Sequence, residues 1–310
     1  MLINEVLTAL AIRPDGLYVD ATFGRGGHSA RILEVLGAGG RLIALDRDPA
    51  AIAAGHARFA RESRLQLVHG EFGELTALVR AQAPGAQCNG VLFDFGVASP
   101  QLDDGARGFS FNKDGPIDMR MDPTRGQPVS AWLASASHDE IRHVIASLGE
   151  ERFANRIATE IVHTRASAPL TRTTELAALI SRCVGTREPG KHPATRTFQA
   201  LRMHINDELA QIQRALSQTL ALLASGGRLV AISFHSLEDR AVKQFISGHS
   251  QTDPALARLP LLPSQLAQPP LRRIGSKQRP TQAELDANPR ARSAVLRVAE
   301  RTAAAMVERK

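Results

Sequence analysis

Aromatic residues are scarce in this 310-residue chain, with eleven Phe, one Trp and one Tyr. A groove that stacks many successive bases needs more rings than that, so recognition of a nucleic acid would rest on charge, shape and one or two ring contacts. Cysteine is scarcer still. Cys88 and Cys183 lie far apart without Cys-x-x-Cys spacing, which excludes a disulfide framework and a thiolate metal site and leaves two reduced, buried thiols. His138 and His143 are five residues apart and fall on different faces of a helix, so no paired-histidine metal signature is present. No apolar run approaches the roughly 18 residues that span a bilayer, and no basic segment followed by an apolar signal region opens the chain. The expectation is a cytoplasmic protein with no membrane partner. No glycine loop ends in Gly-Lys-Ser/Thr, which excludes the phosphate cradle of the NTPases.

What is present is a hydrophobic content of 43% and a net charge of +7. The first is enough for a proper core in one large or two small domains, and the second fits a polyanionic partner. The centre of the chain is Val-Asp-Ala-Thr-Phe-Gly-Arg-Gly-Gly-His-Ser at 19–29. Leu17, Tyr18 and Val19 suit a buried strand that ends in the carboxylate of Asp20. Gly24, Gly26 and Gly27 let the backbone turn sharply and approach a ligand, and His28 begins a helical pattern that stops at Gly37. Strand, glycine turn and helix N-terminus form an anion or nucleotide cradle. A dinucleotide site prefers Gly-x-Gly-x-x-Gly, whereas this turn is Gly-x-Gly-Gly with an acid four residues ahead. That carboxylate would repel a pyrophosphate and suit a ligand carrying an ammonium and a sulfonium, as S-adenosylmethionine does.

Along the chain, 5–11 reads as a short amphipathic helix and 41–46 as a second buried strand ending in Asp46. Asp48-Pro49 then forms an N-cap and first helical residue. Residues 64–69 give a third strand, 74–83 a helix and 90–95 a fourth strand, an alternation that calls for a parallel sheet with ligands at the carboxyl ends. The Gly-, Asp-, Arg- and Pro-rich loop 96–125 is long enough to be site-forming. From 129 to about 185 the pattern is wholly helical, with a capping box at Ser137 and Glu140 and a core Trp132. Residues 197–224 read as one long helix ended by Gly226-Gly227, followed by a fifth strand at 228–234. The stretch 254–270 is proline-rich and reads as mobile, 294–299 as a late strand, and the tail beyond as polar.

Five places could do chemistry. Asp46 lies about twenty residues after the glycine turn, where an acid accepts both ribose hydroxyls of an adenosine ligand or simply guides the chain into the next helix. Phe72 would lie against adenine, or belong to the core. Asp94 opens Asp-Phe-Gly-Val-Ala-Ser-Pro at 94–100 and would face the methyl donor. An exocyclic pyrimidine amine is a poor nucleophile that must be desolvated, aligned and given hydrogen-bond acceptors, and Asp94 is the candidate catalytic residue; otherwise it caps the turn. Ser236 with Asp239 looks like an N-cap arrangement, leaving Phe234 and His235 to stack on or bond to a target base. Arg196 and Arg202, in and after His-Pro-Ala-Thr-Arg-Thr-Phe at 192–198, would neutralise phosphates, as would Arg272-Arg273, Lys277, Arg279, Arg290 and Arg292, unless each cluster is a solvated face.

Assembled in order, these stretches resemble the small-subunit rRNA cytosine-N4 methyltransferase family, RsmH, also called MraW. The motifs are Asp-Ala-Thr-Phe-Gly-Arg-Gly-Gly-His-Ser at 20–29, Asp-Arg-Asp-Pro at 46–49, 94–101, Arg-Gly-Phe-Ser-Phe at 107–111 and Asp-Gly-Pro-Ile-Asp-Met-Arg-Met-Asp at 114–122. They continue with His-Pro-Ala-Thr-Arg-Thr-Phe-Gln-Ala at 192–200, Ser-Phe-His-Ser-Leu-Glu-Asp-Arg at 233–240 and Asn-Pro-Arg-Ala-Arg-Ser at 288–293. The resemblance implies an α/β fold, a Rossmann-like class I methyltransferase domain at 1–103 and 204–310 interrupted by a helical domain at 104–203 that recognises RNA. It implies methyl transfer from S-adenosylmethionine to the N4 amine of one cytidine in the decoding region of small-subunit rRNA, with rRNA or the ribosomal subunit as partner. A homodimer is left open. The family's cofactor positions fall on Gly26, Gly27, His28, Asp46, Phe72, Asp94 and Gln101, with His28 and Gln101 resting on the resemblance alone. Relatives carry a His-x-x-Val-Leu-Leu segment ahead of Glu5, and this chain starts within it, so contacts of that segment are not carried over. Phe95 and Ala98 stand where relatives often have Leu and Ser. The competing readings are a non-catalytic RNA-binding or assembly factor on the same scaffold, which predicts a degraded fourth-strand motif, and a dehydrogenase, which the missing third glycine disfavours.

Overall fold

The computed structural model describes residues 1–185, 192–251 and 268–304, and contacts divide the chain into two compact units, 1–96 with 209–310 and 97–208. The second unit begins and ends a few residues outside the 104–203 segment expected from the sequence. Most of the proline-rich stretch and the end of the polar tail lie outside the described residues.

Unit 1 is built on a seven-stranded sheet. Its strands are β1 (Leu17–Asp20), β2 (Arg41–Asp46), β3 (Leu65–His69), β4 (Cys88–Asp94), β5 (Leu223–Ser233), β6 (Leu271–Gln278) and β7 (Val295–Arg301), in the order β3-β2-β1-β4-β5-β7-β6. The first five are parallel, and β7 enters antiparallel between β5 and β6. The helices of its first segment are α1 (Ile3–Leu10), α2 (Gly27–Val35), α3 (Pro49–Arg58) and α4 (Leu75–Gln82).

Strand alternation sorts the apolar residues to two faces. Tyr18, Leu42, Leu92, Val230 and Ile232 join Val6, Leu10 and Ile32 in one core. Val19, Ile43, Val91, Phe93, Leu229 and Ala231 join Leu75, Val79, Ile212 and Val242 in another. Burying each of these larger side chains contributes about 1.5–3 kcal/mol, so both faces must be covered for the sheet to persist. The layout places the carboxyl ends of β1, β2 and β4 side by side, and with them Asp20, Asp46 and Asp94.

Unit 2 is helical around its own core: α5 (Ser99–Asp103), α6 (Val129–Ser135), α7 (His138–Gly149), α8 (Ala154–Ser167), α9 (Thr173–Cys183) and α10 (Thr195–Ile205). Trp132, Ile157 and Ile161 are buried there. Ser137 Oγ accepts from the Glu140 N–H at 3.2 Å while Glu140 accepts from the Ser137 N–H at 2.7 Å, the capping box read from the sequence.

Four local expectations change. The single long helix over 197–224 is two, α10 and α11 (Glu208–Leu222), because Asp207 takes a left-handed φ of 50° that no α-helix continues through. The strand after it starts at Leu223 and runs through Gly226-Gly227, where Gly226 has φ +79° and the pairing to β4 shifts register. The loop 96–125 contains α5 and a short 3₁₀ turn, Gly105–Arg107. The basic cluster around Arg272 and Lys277 proves to be a strand, β6. After β5 come α12 (Ser236–His249) and α13 (Gln282–Ala287).

Candidate active site

The glycine turn does in unit 1 what its sequence requires. Gly26 is the N-cap of α2 at φ +68°, and a Cβ there would lie 2.7 Å from the Phe23 ring, so no larger residue fits. Gly27, by contrast, faces open space, with no heavy atom within 4 Å of the position a Cβ would take. Gly26 has no side chain with which to cap α2, so first-turn N–H groups are left for another acceptor.

The acids divide into two kinds. Asp20 is fully buried, its carboxylate accepting from Ser29 Oγ at 2.7 Å and from the Thr22 N–H at 3.2 Å. Burial raises its pKa above the ordinary carboxylate value, against the pull of His28, Ser29 and Thr22. Asp20 therefore fixes the start of α2 from behind instead of presenting a free carboxylate. Asp46 accepts one backbone N–H on each oxygen, from Gly24 at 2.6 Å and from Asp48 at 2.8 Å. Two anchors leave two of its four lone-pair positions for a ligand. Burial pushes this carboxyl up from 3.8 to about 6.

Asp94 ends β4, and its N–H donates to Thr22 Oγ1 at 2.7 Å. Its Oδ2 lies 3.4 Å from His28 Nε2, while its Oδ1 is buried with no hydrogen-bond partner. Both ring nitrogens of His28 are likewise buried and without a hydrogen bond. Unsatisfied polar atoms in a protein interior are costly, so a cluster of them beside a glycine cradle points to a polar ligand. Phe72 meets Phe93 and Phe95 edge-on at 6.1 and 5.8 Å and stays partly exposed. Phe234 is half-buried, its ring 3.5 Å from where a Cβ on Gly96 would stand.

Two of the sequence assignments need correction. The N-cap of α12 is His235, whose Nδ1 accepts from the Glu238 N–H at 3.4 Å, and not Ser236 with Asp239. His235 Nε2 also lies 2.9 Å from Glu238 Oε1, although neither of these buried atoms makes a hydrogen bond. Asp239 instead holds Arg297 through both oxygens, at 2.7 and 2.9 Å. Arg202 is not an open phosphate contact either: it forms a two-pronged ion pair with Glu208 at 2.7 and 2.8 Å, with the two side chains only 14% and 5% exposed.

Gln101, Arg196 and Arg202 all belong to unit 2, whereas the acids and glycines of the recess belong to unit 1. Gln101 is buried on α5 and its Oε1 accepts from the Ala98 N–H at 3.0 Å. Arg196 donates to the Glu150 carbonyl at 2.6 Å. The sequence reading missed Glu71, which pairs with Arg47 at 3.1 Å and accepts from Gln211 Nε2, joining the end of β3 to α11. Its position next to Phe72 was the only signal available.

Gly26, Gly27, His28, Asp46 and Asp94 therefore form one polar recess, with first-turn N–H groups, acceptor capacity on Asp46 and unspent atoms on His28 and Asp94. Such a donor and acceptor set fits a nucleoside bearing an amino-acid tail and a cationic centre. Residues 1–302 match the model of the MraW methylase family. A protein of Dechloromonas aromatica named ribosomal RNA small subunit methyltransferase H is 56% identical over 301 residues, covering 97% of each chain. Proteins of the same name from Azoarcus and Burkholderia mallei are 54% and 52% identical, covering 97% and 98% of this chain and 96% and 97% of theirs. With that match over nearly its whole length, the chain belongs to the MraW methylase family, whose methyl donor is S-adenosylmethionine.

Proposed function

We propose that this chain transfers a methyl group to the N4 amine of a cytidine in the decoding region of small-subunit rRNA. The observation that carries this reading is the buried, unpartnered Oδ1 of Asp94 at the end of β4. The relatives' name supports an rRNA target, and the need of an exocyclic amine for an acceptor supports N4. In this reading Asp46 accepts the ribose hydroxyls on the lone pairs its backbone anchors leave open, and Phe72 borders the adenine. Gly26 and Gly27 admit the ligand to the first turn of α2, and Asp20 holds that turn in place through Ser29. Bound S-adenosylmethionine supplies an electrophilic methyl on a sulfonium sulfur.

Asp94 Oδ1 accepts an N–H of the incoming amine, which fixes the nitrogen in line and keeps its lone pair directed away from the ring. Methyl transfer to N4 would leave the carbon–sulfur electron pair on sulfur and one proton too many on the amine. The amine then sheds one proton, which Asp94 Oδ1 takes up and passes to solvent. The half-buried Phe234 offers a ring beside β4 on which a flipped base can rest. To unit 2 we assign RNA recognition, with Arg196 as a phosphate contact. Gln101 and Arg202 serve the unit's own structure. A ribosomal target implies the cytoplasm, and among the described residues no helix is long and apolar enough to cross a membrane.

Mass spectrometry of nucleosides from small-subunit rRNA of a deletion strain tests the whole reading. One N4-methylcytidine is expected to disappear, to return with the intact gene and to stay absent with Asp94→Ala. Unchanged rRNA in the deletion strain would refute the assignment. Return of the mark with Asp94→Ala would take Asp94 out of the mechanism.

A further inference from the structure

The cations of β6 have no part in the recess just described, and strand alternation sorts them into two sets. Arg272 is paired with Glu300, which also holds Arg228 at 2.9 Å. Arg273 and Lys277 turn the other way, and with Lys243 of α12 and Arg297 of β7 they line one groove together with Ser247 and Ser276. None of the described residues lining that groove is acidic. Asp239 bonds Arg297, which holds its carboxyl below the ordinary carboxylate range, and Lys277 and Lys243 add to that pull. The balance is four cations against one anion, with Lys243, Arg273 and Lys277 forming no ion pair among the described residues.

The groove is also in the right place. Gln278 pairs with Leu296, Leu296 with Ile232 and Ile232 with Asp94, so the end of β6 is level with the reacting end of β4. Three strand spacings separate them, about 14 Å. Arg273 pairs with Ala299 and lies deeper along the same edge. Between Ile274 and Gln278 the pairing shifts register, and Gly275 takes φ +63°; this bulge carries Ser276 and Lys277.

We infer that the groove between α12 and β6 is a docking track for RNA phosphates, gripping the strand two or three nucleotides from the base held at Asp94. The inference rests on the RNA-methylating reading and adds to it where the chain is held. Phosphates spaced along a strand suit cations spaced along an edge, and each phosphate neutralised releases counterions. Lysines on an edge strand also serve to repel other strands, and that lesser role makes a different prediction.

Binding of the full-length protein to a fragment of small-subunit rRNA, measured across a salt series, separates the two. In Lys243→Ala/Arg273→Ala/Lys277→Ala the track predicts affinity lower by about tenfold or more at moderate salt. The slope of log affinity on log salt becomes shallower by about 0.7 for each single-stranded phosphate that is no longer neutralised. Cofactor affinity and the methyl-transfer rate at saturating RNA stay at wild-type values, while KM for RNA rises. Unchanged affinity and slope would overturn the inference and leave the edge-guarding role. Should the triple variant fail to fold, acylation of Lys243 and Lys277 in the wild-type protein decides instead: protection by RNA supports the track, and equal labelling with and without RNA refutes it. A wild-type protein that neither binds nor methylates rRNA would remove the enzymatic reading itself, an outcome visible before any variant is made.

Discussion

Burial raises the Asp46 carboxyl from its ordinary 3.8 to about 6, which sets how cofactor binding responds to pH. A carboxyl that holds its proton more tightly when folded stabilises the cofactor-free chain below the unfolded value, and that contribution is lost as pH rises through about 6. Hydroxyl donors prefer the ionised carboxylate, so cofactor affinity moves the opposite way. Calorimetric titration should show Kd rising as pH falls below about 6, by at most tenfold per pH unit. Asp46→Ala should bind weakly at every pH, and an unchanged affinity would contradict the ribose contact. Asp94→Ala should retain cofactor binding while single-turnover methyl transfer falls on the order of a hundredfold or more; near-normal turnover would exclude its role. Asp20, Asp46 and Asp94 were legible because each ends an apolar run beside a small-residue turn. The capping of α12 was not, since Glu238 and Asp239 are equally plausible partners on paper and only backbone geometry selects Glu238. Nor could spacing reveal that Glu71 would meet Arg47 and Gln211.

The elements followed from periodicity wherever one pattern dominated. β1, β2 and β4 are apolar runs ended by acids, and α2 and α3 open on the turn chemistry that starts helices. Two elements escaped because their signals are not patterns of hydrophobicity. The break at Asp207 is a left-handed residue inside an unbroken helical periodicity. β6 shows Leu271 and Ile274 among cations and carries no strand pattern, because an edge strand needs few apolar residues. The pairing of Arg202 with Glu208 ties α10 to the start of α11 across that break. Arg202→Met should cost on the order of 3 kcal/mol in urea unfolding, since it strands a buried carboxylate. Arg202→Met/Glu208→Met should recover part of the loss. A stable Arg202→Met with RNA affinity greatly reduced would instead return Arg202 to the phosphate contacts.

At the scale of the whole molecule, each unit carries one thiol in its own core, Cys88 in unit 1 and Cys183 in unit 2. Burial pushes the Cys88 thiol up to about 12 and raises Cys183 as well. Neither should react with an alkylating reagent at neutral pH in the folded protein, and both should react once unfolded. In rising urea the two labelling curves would then report the two cores separately. Rapid modification of native Cys88 would show that the sheet opens far more readily than its packing allows. The presence of a helical interruption was legible as a long stretch without strand patterns, whereas its edges depend on contacts that sequence does not display. The order of the sheet carries a consequence for synthesis. β4 is central, yet its neighbour β5 is translated only after all of unit 2, so the growing polypeptide holds an unzipped, strongly apolar ribbon until that unit is complete and β5 emerges. A nascent chain halted at residue 208 should therefore cling to chaperones or precipitate, and release of the full-length product should coincide with the disappearance of that stickiness.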